Sequence, residues 1–379
     1  MILAYIYLDN IYEFKDFSAS FVYPKKIVNN PLGQEYLKDY PNFRYKKVNI
    51  IFGSNATGKT TLGKAIWNIC LFLNRKEGNR VSDIVCDKTK TAHIIFDYVL
   101  YDGVLIRADI LIEPINSDNT QNIKVKILKQ KLLKTDSYET AVARFNNEEE
   151  YKDYREALSD LVFNGWSFNF PLTEQSFDKV MCPYEGDERK EFTEVLLAVI
   201  KTMDPSIKEI NLLDELPKSY VVVPENGDSF AVNHFDKISS IERLSSGTKY
   251  GFNIAATLFN IMKHKNGFYY VDEQFSYCNS EIEIAILNLM SNFIGDGEQL
   301  FFTSHNGELL SLNYPIHAFN FLRKVKEGNT SKIEMINASS LEKRNNVNIK
   351  NLYDNDYFVA GPNLEELYKL GEKNWAWQN

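Results

Sequence analysis

Residues 48–61 constrain the fold of this chain more than any other stretch. An apolar run leads into the spacing Gly53-x-x-x-x-Gly58-Lys59-Thr60, and a segment with apolar residues at helical spacing follows it. A strand, a glycine-containing turn and a helix in this order form a P-loop, a loop that binds nucleotide phosphates. The sequence therefore predicts a phosphate site at the end of a strand in an α/β core.

The residue types in this loop match the chemistry of a nucleotide phosphate. Glycines let the backbone approach the phosphates closely, and the N–H groups of the loop and of the helix N-terminus supply partial positive charge. Lys59 neutralises the β- and γ-phosphates, and the Thr60 hydroxyl is a ligand for Mg²⁺. The predicted binding segment comprises Gly53, Ser54, Asn55, Ala56, Thr57, Gly58, Lys59, Thr60 and Thr61.

Two later strand ends supply the other groups that a nucleotide-hydrolysing site needs. The apolar run 267–271 is followed by Asp272 and Glu273. An aspartate in this place holds Mg²⁺ through water, and the glutamate polarises the attacking water. The run 299–302 leads to His305, and a histidine at a strand end beside a phosphate site can contact the γ-phosphate or the catalytic water. We therefore predict Lys59, Glu273 and His305 as catalytic residues, and Thr60 and Asp272 as metal ligands.

Charge and hydropathy limit the partners of the chain. With 379 residues and a formal net charge of -8, it lacks the basic character of proteins that bind the DNA backbone constitutively, so nucleic acid would need a local basic patch. No apolar run approaches the ~20 residues of a membrane span, and the first residues lack the basic flank of a signal peptide. We therefore expect a cytoplasmic protein with no membrane partner.

The cysteines and the remaining histidines form no recognisable site. Wide separation predicts reduced and mostly buried thiols, rather than a zinc site or a disulfide framework, for Cys70, Cys86, Cys182 and Cys278. A histidine without a motif around it is usually structural. This interpretation covers His93, His234, His264 and His317.

Changes of sequence pattern divide the chain into three predicted parts. Residues 1–136 contain the P-loop, a loop predicted at 29–45, and β-rich runs that include a hairpin and a lysine-bearing strand. We interpret the lysine-bearing strand as a solvated edge strand rather than a DNA contact. Residues 137–216 are predicted to form an inserted helical lobe, with the acidic run 148–150 on a solvated helix face. Residues 217–379 complete the nucleotide-binding core.

Four elements in this order resemble the ABC-type ATPases. They are the Walker A segment at Gly53 to Thr61, a signature-like segment Leu244-Ser245-Ser246-Gly247-Thr248, a Walker B strand ending at Asp272-Glu273, and a switch histidine at His305. The resemblance implies an α/β fold, namely a P-loop NTPase of ABC-ATPase type with an antiparallel β subdomain and an inserted helical lobe. It also implies ATP and Mg²⁺ as cofactors and ATP hydrolysis as the activity.

The same resemblance implies a site shared between two subunits. Ser245, Ser246 and Gly247 would bind the γ-phosphate of ATP held by the Walker A segment of a second subunit. A homodimer, or a higher even oligomer, follows from this arrangement. Residues 276–279 stand in the place of the family's D-loop without matching its Ser-Ala-Leu-Asp sequence, and no glutamine is assigned to the Q-loop.

More narrowly, the chain is similar to compact bacterial, AAA-ATPase-like proteins. These are related to the ATPase part of overcoming-lysogenisation-defect nucleases and, more distantly, to chromosome-maintenance and recombination ATPases. The residues of Walker A, the hairpin before the predicted insertion and the tail 351–362 carry this likeness. It implies an ATP-driven switch in bacterial anti-phage defence that controls a separate effector polypeptide, a nuclease or a toxin.

Three other functions stay open at this point. A transporter cassette uses the same motifs, although the long predicted insertion and the missing Q-loop disfavour it. A DNA-repair or chromosome-type ATPase would be stimulated by DNA. A scaffold would bind ATP without hydrolysing it. A GTPase is disfavoured because the chain has no Asn-Lys-x-Asp motif to recognise guanine.

Overall fold

The computed structural model describes residues 1–26, 30–100, 102–117, 121–146, 148–171, 184–213, 219–233, 243–276, 278–328, 330–342, 347–361 and 365–372. The α-helices are α1 (Lys59–Arg75), α2 (Asn79–Ser82), α3 (Tyr138–Val142), α4 (Tyr154–Ala157), α5 (Gly186–Met203), α6 (Ser246–Met262), α7 (Ser280–Phe293), α8 (Ala338–Leu341), α9 (Ile349–Asp354) and α10 (Glu365–Glu372). The strands are β1 (Ile2–Asp9), β2 (Phe17–Ser20), β3 (Tyr36–Leu37), β4 (Tyr40–Arg44), β5 (Val48–Phe52), β6 (Ala92–Val99), β7 (Val104–Ile112), β8 (Ile123–Lys131), β9 (Lys152–Asp153), β10 (Trp166–Asn169), β11 (Ile207–Leu212), β12 (Ser219–Pro224), β13 (Phe230–Asn233), β14 (Phe268–Asp272), β15 (Gln299–Ser304), β16 (Phe319–Glu327) and β17 (Thr330–Asn337).

A mostly parallel six-stranded sheet leads into the predicted P-loop. Its strand order is β10-β14-β15-β5-β16-β17. The first five of these strands are parallel, and β17 is antiparallel to β16. All residues of β5 are buried, as expected for a strand covered on both faces. Because parallel strands end at the same edge of a sheet, the residues that follow β5, β14 and β15 meet there.

The side chains of β5 alternate between two apolar layers. Ile51 packs in a layer with α1 and with the antiparallel sheet β2-β1-β6-β7-β8-β9. Ile50 and Phe52 belong to the opposite layer, which is formed by α5, α6, α7 and the three-stranded sheet β11-β12-β13. The central sheet is therefore covered on both faces, and α1 is held by apolar contacts on the face that carries the antiparallel sheet.

Within the second layer, α5 and α6 approach closely at a glycine. A Cβ atom on Gly251 would lie 2.6 Å from Ile200 Cδ1 and 2.9 Å from Met203 Sδ. Both distances are shorter than a van der Waals contact, so a larger residue would force the side chains of Ile200 and Met203 to move. The start of α6, which contains the signature-like segment, is thus packed directly against the end of α5.

Most of the predicted elements are confirmed. The strands β1, β5, β14 and β15, the hairpin of β6 and β7, and the helices α1, α6 and α7 lie where the pattern places them, with shifted ends. The predicted loop 29–45 instead contains the short hairpin of β3 and β4. The lysine-bearing strand is β8, which pairs with β7 along its length and with β9 over two residues, so it lies near a sheet edge as predicted.

The segment 137–216 differs in secondary structure from the helical pattern predicted for it. Its described residues form one long helix, α5, together with the short helices α3 and α4 and the strands β9, β10 and β11. The acidic run 148–150 is exposed, but it precedes β9 and lies outside any helix. The division of the chain into 1–136, 137–216 and 217–379 stays a prediction.

The expectations about buried thiols and about membrane-spanning helices can be compared with the described residues. Cys70 is buried, Cys278 is half-buried and Cys86 is exposed, so the prediction of mostly buried thiols is wrong for Cys86. Cys182 lies outside the described residues. None of the helices in the described ranges combines the length and apolar character needed to cross a membrane.

A buried lysine before β5 gives a testable pH dependence of stability. Lys46 is 5% exposed and donates to the carbonyl oxygen of Ser20 at 2.8 Å, and burial lowers its pKa from 10.5 to about 7, although Glu35 opposes the shift. Above pH 7 the unfolded chain therefore binds more protons than the folded chain, and the free energy of unfolding increases with pH. We expect a gain of up to about 2 kcal/mol between pH 7 and pH 9 in urea denaturation.

The substitution Lys46→Met serves as the control for this expectation. It removes the titrating group and keeps an unbranched side chain of similar length, so most of the gain between pH 7 and pH 9 should disappear. An equal gain in the wild type and the variant would show that other groups cause it.

Candidate functional site

The turn after β5 has the geometry of a P-loop. A Cβ atom on Gly53 would lie 2.4 Å from Thr57 Oγ1 and 2.7 Å from the carbonyl oxygen of Leu322. No residue larger than glycine fits there without a shift of the backbone. Gly58 caps α1 with a φ of 99°, which is a conformation that glycine adopts without steric cost. Both glycines of the motif are thus explained by the shape of the turn.

Lys59 lies at the centre of this loop. Its ammonium donates to the carbonyl oxygens of Gly53 at 2.7 Å and Ser54 at 3.3 Å. It also forms an ion pair with Glu273 Oε1 at 3.0 Å, with only 3% of the Lys59 side chain exposed. The loop therefore wraps around the lysine, and the ion pair joins the lysine to the residue that follows β14, the predicted Walker B strand.

Asp272 is fully buried next to the first turn of α1. Its carboxylate accepts hydrogen bonds from Thr60 Oγ1 at 2.7 Å and from Thr303 Oγ1 at 2.6 Å. Burial raises the pKa of Asp272 to about 6, against the opposing effect of these hydroxyls and of Lys59. Thr60 and Asp272, which are 212 residues apart in the chain, are brought into contact as the sequence predicts.

These two side chains fit a magnesium ion. A hydroxyl and a carboxylate are the oxygen ligands that Mg²⁺ takes from a protein when substrate phosphates and water complete its coordination. Asp272 is buried, and its hydrogen bonds in the described residues come from hydroxyls, so a cation at this position would compensate its charge. In the described ranges, no group of three or more His, Cys, Asp or Glu side chains could hold a metal by itself.

Glu273 has a backbone conformation that few residues other than glycine adopt. Its φ is 41°, in the left-handed region, and such strained residues are concentrated at functional sites. Its backbone N–H donates to Thr303 Oγ1 at 3.1 Å. The same hydroxyl donates to Asp272, so Thr303 is hydrogen-bonded to both residues of the predicted Walker B end.

A cavity of about 190 Å³ opens beside Glu273. His305, predicted as the switch histidine, is exposed and lies in its wall. Glu273 and His305 therefore share one cavity at the edge where β14 and β15 end. The other lining residues are Phe275, Ser276, Cys278, Ser280, Glu283, Ser304 and Asn306.

The signature-like segment forms the N-terminus of α6. Ser245 Oγ caps the helix by accepting from the Thr248 N–H at 3.1 Å, and Thr248 Oγ1 donates to Asp204 Oδ2 at 3.1 Å, next to the end of α5. Ser246 and Gly247 belong to the first turn of the helix. In the ranges that the structure describes, no hydrogen bond or ion pair links Ser245 or Gly247 to residues 53–61. Their role toward a phosphate stays a prediction.

Several residues of this region were not anticipated from the sequence. Thr303 precedes Ser304 and His305, and its polarity at the end of an apolar strand is a signal that could have found it. Glu283 falls on the buried face of α7, together with Ile286, Leu287 and Met290, and a carboxylate on that face is also a signal. The side-chain oxygens of Asn169 and Gln274, which lie near Asp272, are buried and have no hydrogen-bond partner in the described residues.

The histidines predicted to be structural pair with carboxylates away from this site. His93 Nε2 lies 2.8 Å from Asp109 and His317 Nε2 lies 2.7 Å from Glu35. His264 Nδ1 lies 3.2 Å from Glu298. His234 lies outside the described residues.

Comparisons with known proteins show the fold. No protein-family model matches the chain, and no curated protein does. One similar solved structure is the SmcHead bound to the C-winged helix domain of ScpA, at 13% identity and a TM-score of 0.52, covering 90% of this chain and 100% of that chain. Another is the Smc head domain with an extended coiled coil, bound to the C-terminal domain of ScpA derived from Pyrococcus furiosus, at 10% identity and a TM-score of 0.51, covering 89% of this chain and 97% of that chain. The chain thus has the mixed α/β fold of these Smc head domains, which confirms the predicted α/β fold class.

Proposed function

We propose that this chain is an ATP-binding and ATP-hydrolysing switch protein of ABC type that dimerises around ATP. One observation carries the proposal. Groups from the ends of β5 and β14 converge at one edge of the parallel sheet, with Lys59 paired to Glu273 at 3.0 Å and Thr60 bonded to Asp272 at 2.7 Å. Walker A and Walker B residues in contact, on a fold shared with Smc head domains, match the requirements of ATP hydrolysis.

In this proposal, each side chain has one task toward Mg·ATP. Lys59 exchanges the carbonyl oxygens of Gly53 and Ser54 and the carboxylate of Glu273 for phosphate oxygens. Glu273, released from the lysine, remains in the wall of the cavity and accepts the proton of the water that attacks the γ-phosphorus. Thr60 and Asp272 hold Mg²⁺, which when bound neutralises charge on the β- and γ-phosphates.

The proposed switch between open and closed states depends on a second subunit. Ser245, Ser246 and Gly247 would contact the γ-phosphate held by the partner, with the N–H groups at the start of α6 supplying partial positive charge. Because these contacts exist only in the closed dimer, ATP favours that state, and hydrolysis releases it. The hydrogen bond from Thr248 to Asp204 connects the signature-like segment to the end of α5. Closure of the dimer would therefore be transmitted to α5, the helix next to the three-stranded sheet.

The proposed output is control of a separate effector. The sequence resemblance to compact bacterial ATPases supports a nuclease or a toxin as that effector, in anti-phage defence. Nucleic acid would be contacted only in particular states, because the net charge of the chain is -8.

ATP hydrolysis and molar mass together test the proposal. The purified chain is incubated with Mg·ATP, phosphate release is followed, and molar mass is measured by light scattering with and without nucleotide. We expect steady hydrolysis and a doubled mass with ATP. Absence of ATP binding at millimolar concentration would refute the proposal. Binding without hydrolysis, either alone or with partners, would support an ATP-dependent scaffold in its place.

Purification of the tagged chain from its native host tests the output. Copies isolated with and without ATP are compared for the proteins and nucleic acids that accompany them. A nuclease or toxin chain that depends on ATP supports effector control. DNA as the sole companion argues against it.

A second candidate, a chromosome-type or DNA-repair ATPase, is favoured by the likeness of the fold to Smc head domains. It predicts that double-stranded DNA stimulates hydrolysis and that the stimulation weakens as salt is raised. A hydrolysis rate that does not respond to DNA at low salt would exclude this candidate.

A further inference from the structure

A buried carboxylate on α7 holds the two residues on either side of His305. Glu283 is 6% exposed, and its Oε1 accepts from Ser304 Oγ at 2.7 Å while its Oε2 accepts from Asn306 Nδ2 at 2.7 Å. Ser304 Oγ in turn accepts from the backbone N–H of Asn306 at 2.9 Å. The turn that carries His305 is therefore closed on itself and attached to α7 at both flanks.

The same turn is fixed on its other side. Asn306 Oδ1 accepts from the backbone N–H of Glu308 at 3.1 Å, which caps a 3₁₀ helix formed by Gly307–Ser311. Both ends of the Asn306 side chain are thus engaged, one by Glu283 and one by the helix. His305, held between these contacts, keeps its own side chain exposed in the wall of the cavity that it shares with Glu273.

Packing alone does not account for Glu283. It lies on the buried face of α7, where Ile286, Leu287 and Met290 are its neighbours on the helix, and an apolar side chain would satisfy such a position. Within the described part of the chain no lysine or arginine forms an ion pair with Glu283, and burial raises the pKa of its carboxyl. Burying a carboxylate costs free energy that well-formed hydrogen bonds must offset. Its hydrogen-bond partners are the side chains that flank His305.

We propose that Glu283 is a positioning residue, which acts through Ser304 and Asn306 to hold His305 in the orientation that meets the γ-phosphate or the attacking water. This inference rests on the proposed ATPase function and deepens it. Although Glu283 belongs to the cavity wall, both of its carboxylate oxygens are engaged by Ser304 and Asn306, so its role lies one step away from the reacting atoms. Losing the orientation of a catalytic side chain slows the chemical step and leaves substrate binding intact.

Steady-state ATPase kinetics of Glu283→Ala and Glu283→Gln test the inference. For Glu283→Ala we expect kcat to fall about 10- to 100-fold with the KM for ATP within about twofold of the wild type. Glutamine has the same length and one acceptor oxygen, so Glu283→Gln should keep more of kcat than the alanine variant. Glu281→Ala, an exposed residue of the same helix, is the matched control and should leave both constants unchanged.

A double-mutant cycle with His305→Ala separates positioning from a general effect on the fold. If Glu283 acts through His305, the variant Glu283→Ala/His305→Ala is no slower than His305→Ala. Multiplied losses in the double variant, or an unchanged kcat in His305→Ala, would overturn the inference. Rates are normalised to ATP-binding stoichiometry, so that unfolded protein does not count as slow enzyme.

The cycle also distinguishes this inference from the proposal beneath it. A wild-type chain without ATP hydrolysis refutes the ATPase function, and the positioning role falls with it. A wild-type chain that hydrolyses ATP while the two losses multiply refutes the positioning role alone.

Discussion

Replacement of Lys59 by alanine is expected to weaken ATP binding by at least about 30-fold. The ammonium is the cationic side chain that the P-loop wraps, with 3% of its side chain exposed, and it contacts two carbonyl oxygens and Glu273. In the ATP complex this ammonium would pair with phosphate oxygens, and losing one member of such a buried charge pair costs about 2–5 kcal/mol, which corresponds to a Kd for ATP raised roughly 30- to 5,000-fold. Calorimetric titration of the variant with Mg·ATP measures this change.

Lys76→Ala is the control for this substitution. Lys76 follows the other end of α1, where its ammonium donates to the carbonyl oxygen of Ser159 at 2.5 Å, so this variant should bind ATP like the wild type. Thermal unfolding of both variants shows whether the loop still folds, because Lys59→Ala also leaves Glu273 without its ion-pair partner. A folded Lys59→Ala protein with the wild-type Kd would contradict the role given to Lys59.

The parts of the structure that were predictable depend on contacts that are local in sequence. The P-loop joins a strand, a turn and a helix within fourteen consecutive positions, 48–61, and the steric limits at Gly53 and Gly58 explain why the motif needs glycine there. The serine cap of α6 is likewise encoded by neighbouring residues, since Ser245 bonds to Thr248. Local chemistry of this kind can be recognised in one sequence without knowledge of the rest of the fold.

The parts that were missed depend on pairing between distant segments. The strand β10 is short and aromatic, and its pairing with β14 joins residues about a hundred positions apart, such as Phe168 and Tyr270. The strand β11 contains a register shift between Ile207 and Glu209, and a bulge breaks the alternation by which strands are recognised. Residues 137–216 were therefore predicted as helical, although strands of this segment belong to several sheets.

The candidate site shows the same division. Strand ends predicted Lys59, Asp272, Glu273 and His305, because each directly follows or opens a recognisable element. The ion pair between Lys59 and Glu273 and the hydrogen bonds of Glu283 could not be predicted, since they depend on how helices and strands lie in space. A carboxylate on a buried helix face was the one sequence signal for Glu283, and its partners became visible only in the structure.

Replacement of Glu273 by glutamine is expected to keep ATP binding and to slow hydrolysis strongly. The amide has nearly the same shape but cannot accept the proton of the attacking water, and general-base catalysis contributes about 10²- to 10⁴-fold to a rate. The amide also cannot form the ion pair that holds Lys59 at 3.0 Å from Glu273. The Glu273 carboxylate then no longer competes with ATP for Lys59, so the Kd of the variant for ATP should be equal to or lower than that of the wild type.

The slow step in this variant should also reveal the oligomeric switch. If ATP closes a dimer and hydrolysis opens it, Glu273→Gln accumulates as a dimer with ATP, and light scattering should find twice the monomer mass. ADP should leave it a monomer. Glu308→Gln is the matched control, because Glu308 is an exposed glutamate that pairs with Lys350 at 2.6 Å. The Glu308→Gln protein should hydrolyse ATP at the wild-type rate. A wild-type hydrolysis rate in Glu273→Gln would show that another group activates the water. Slow hydrolysis by a Glu273→Gln protein that stays monomeric with ATP would show that catalysis does not depend on dimerisation, and the shared site would then be removed from the proposal.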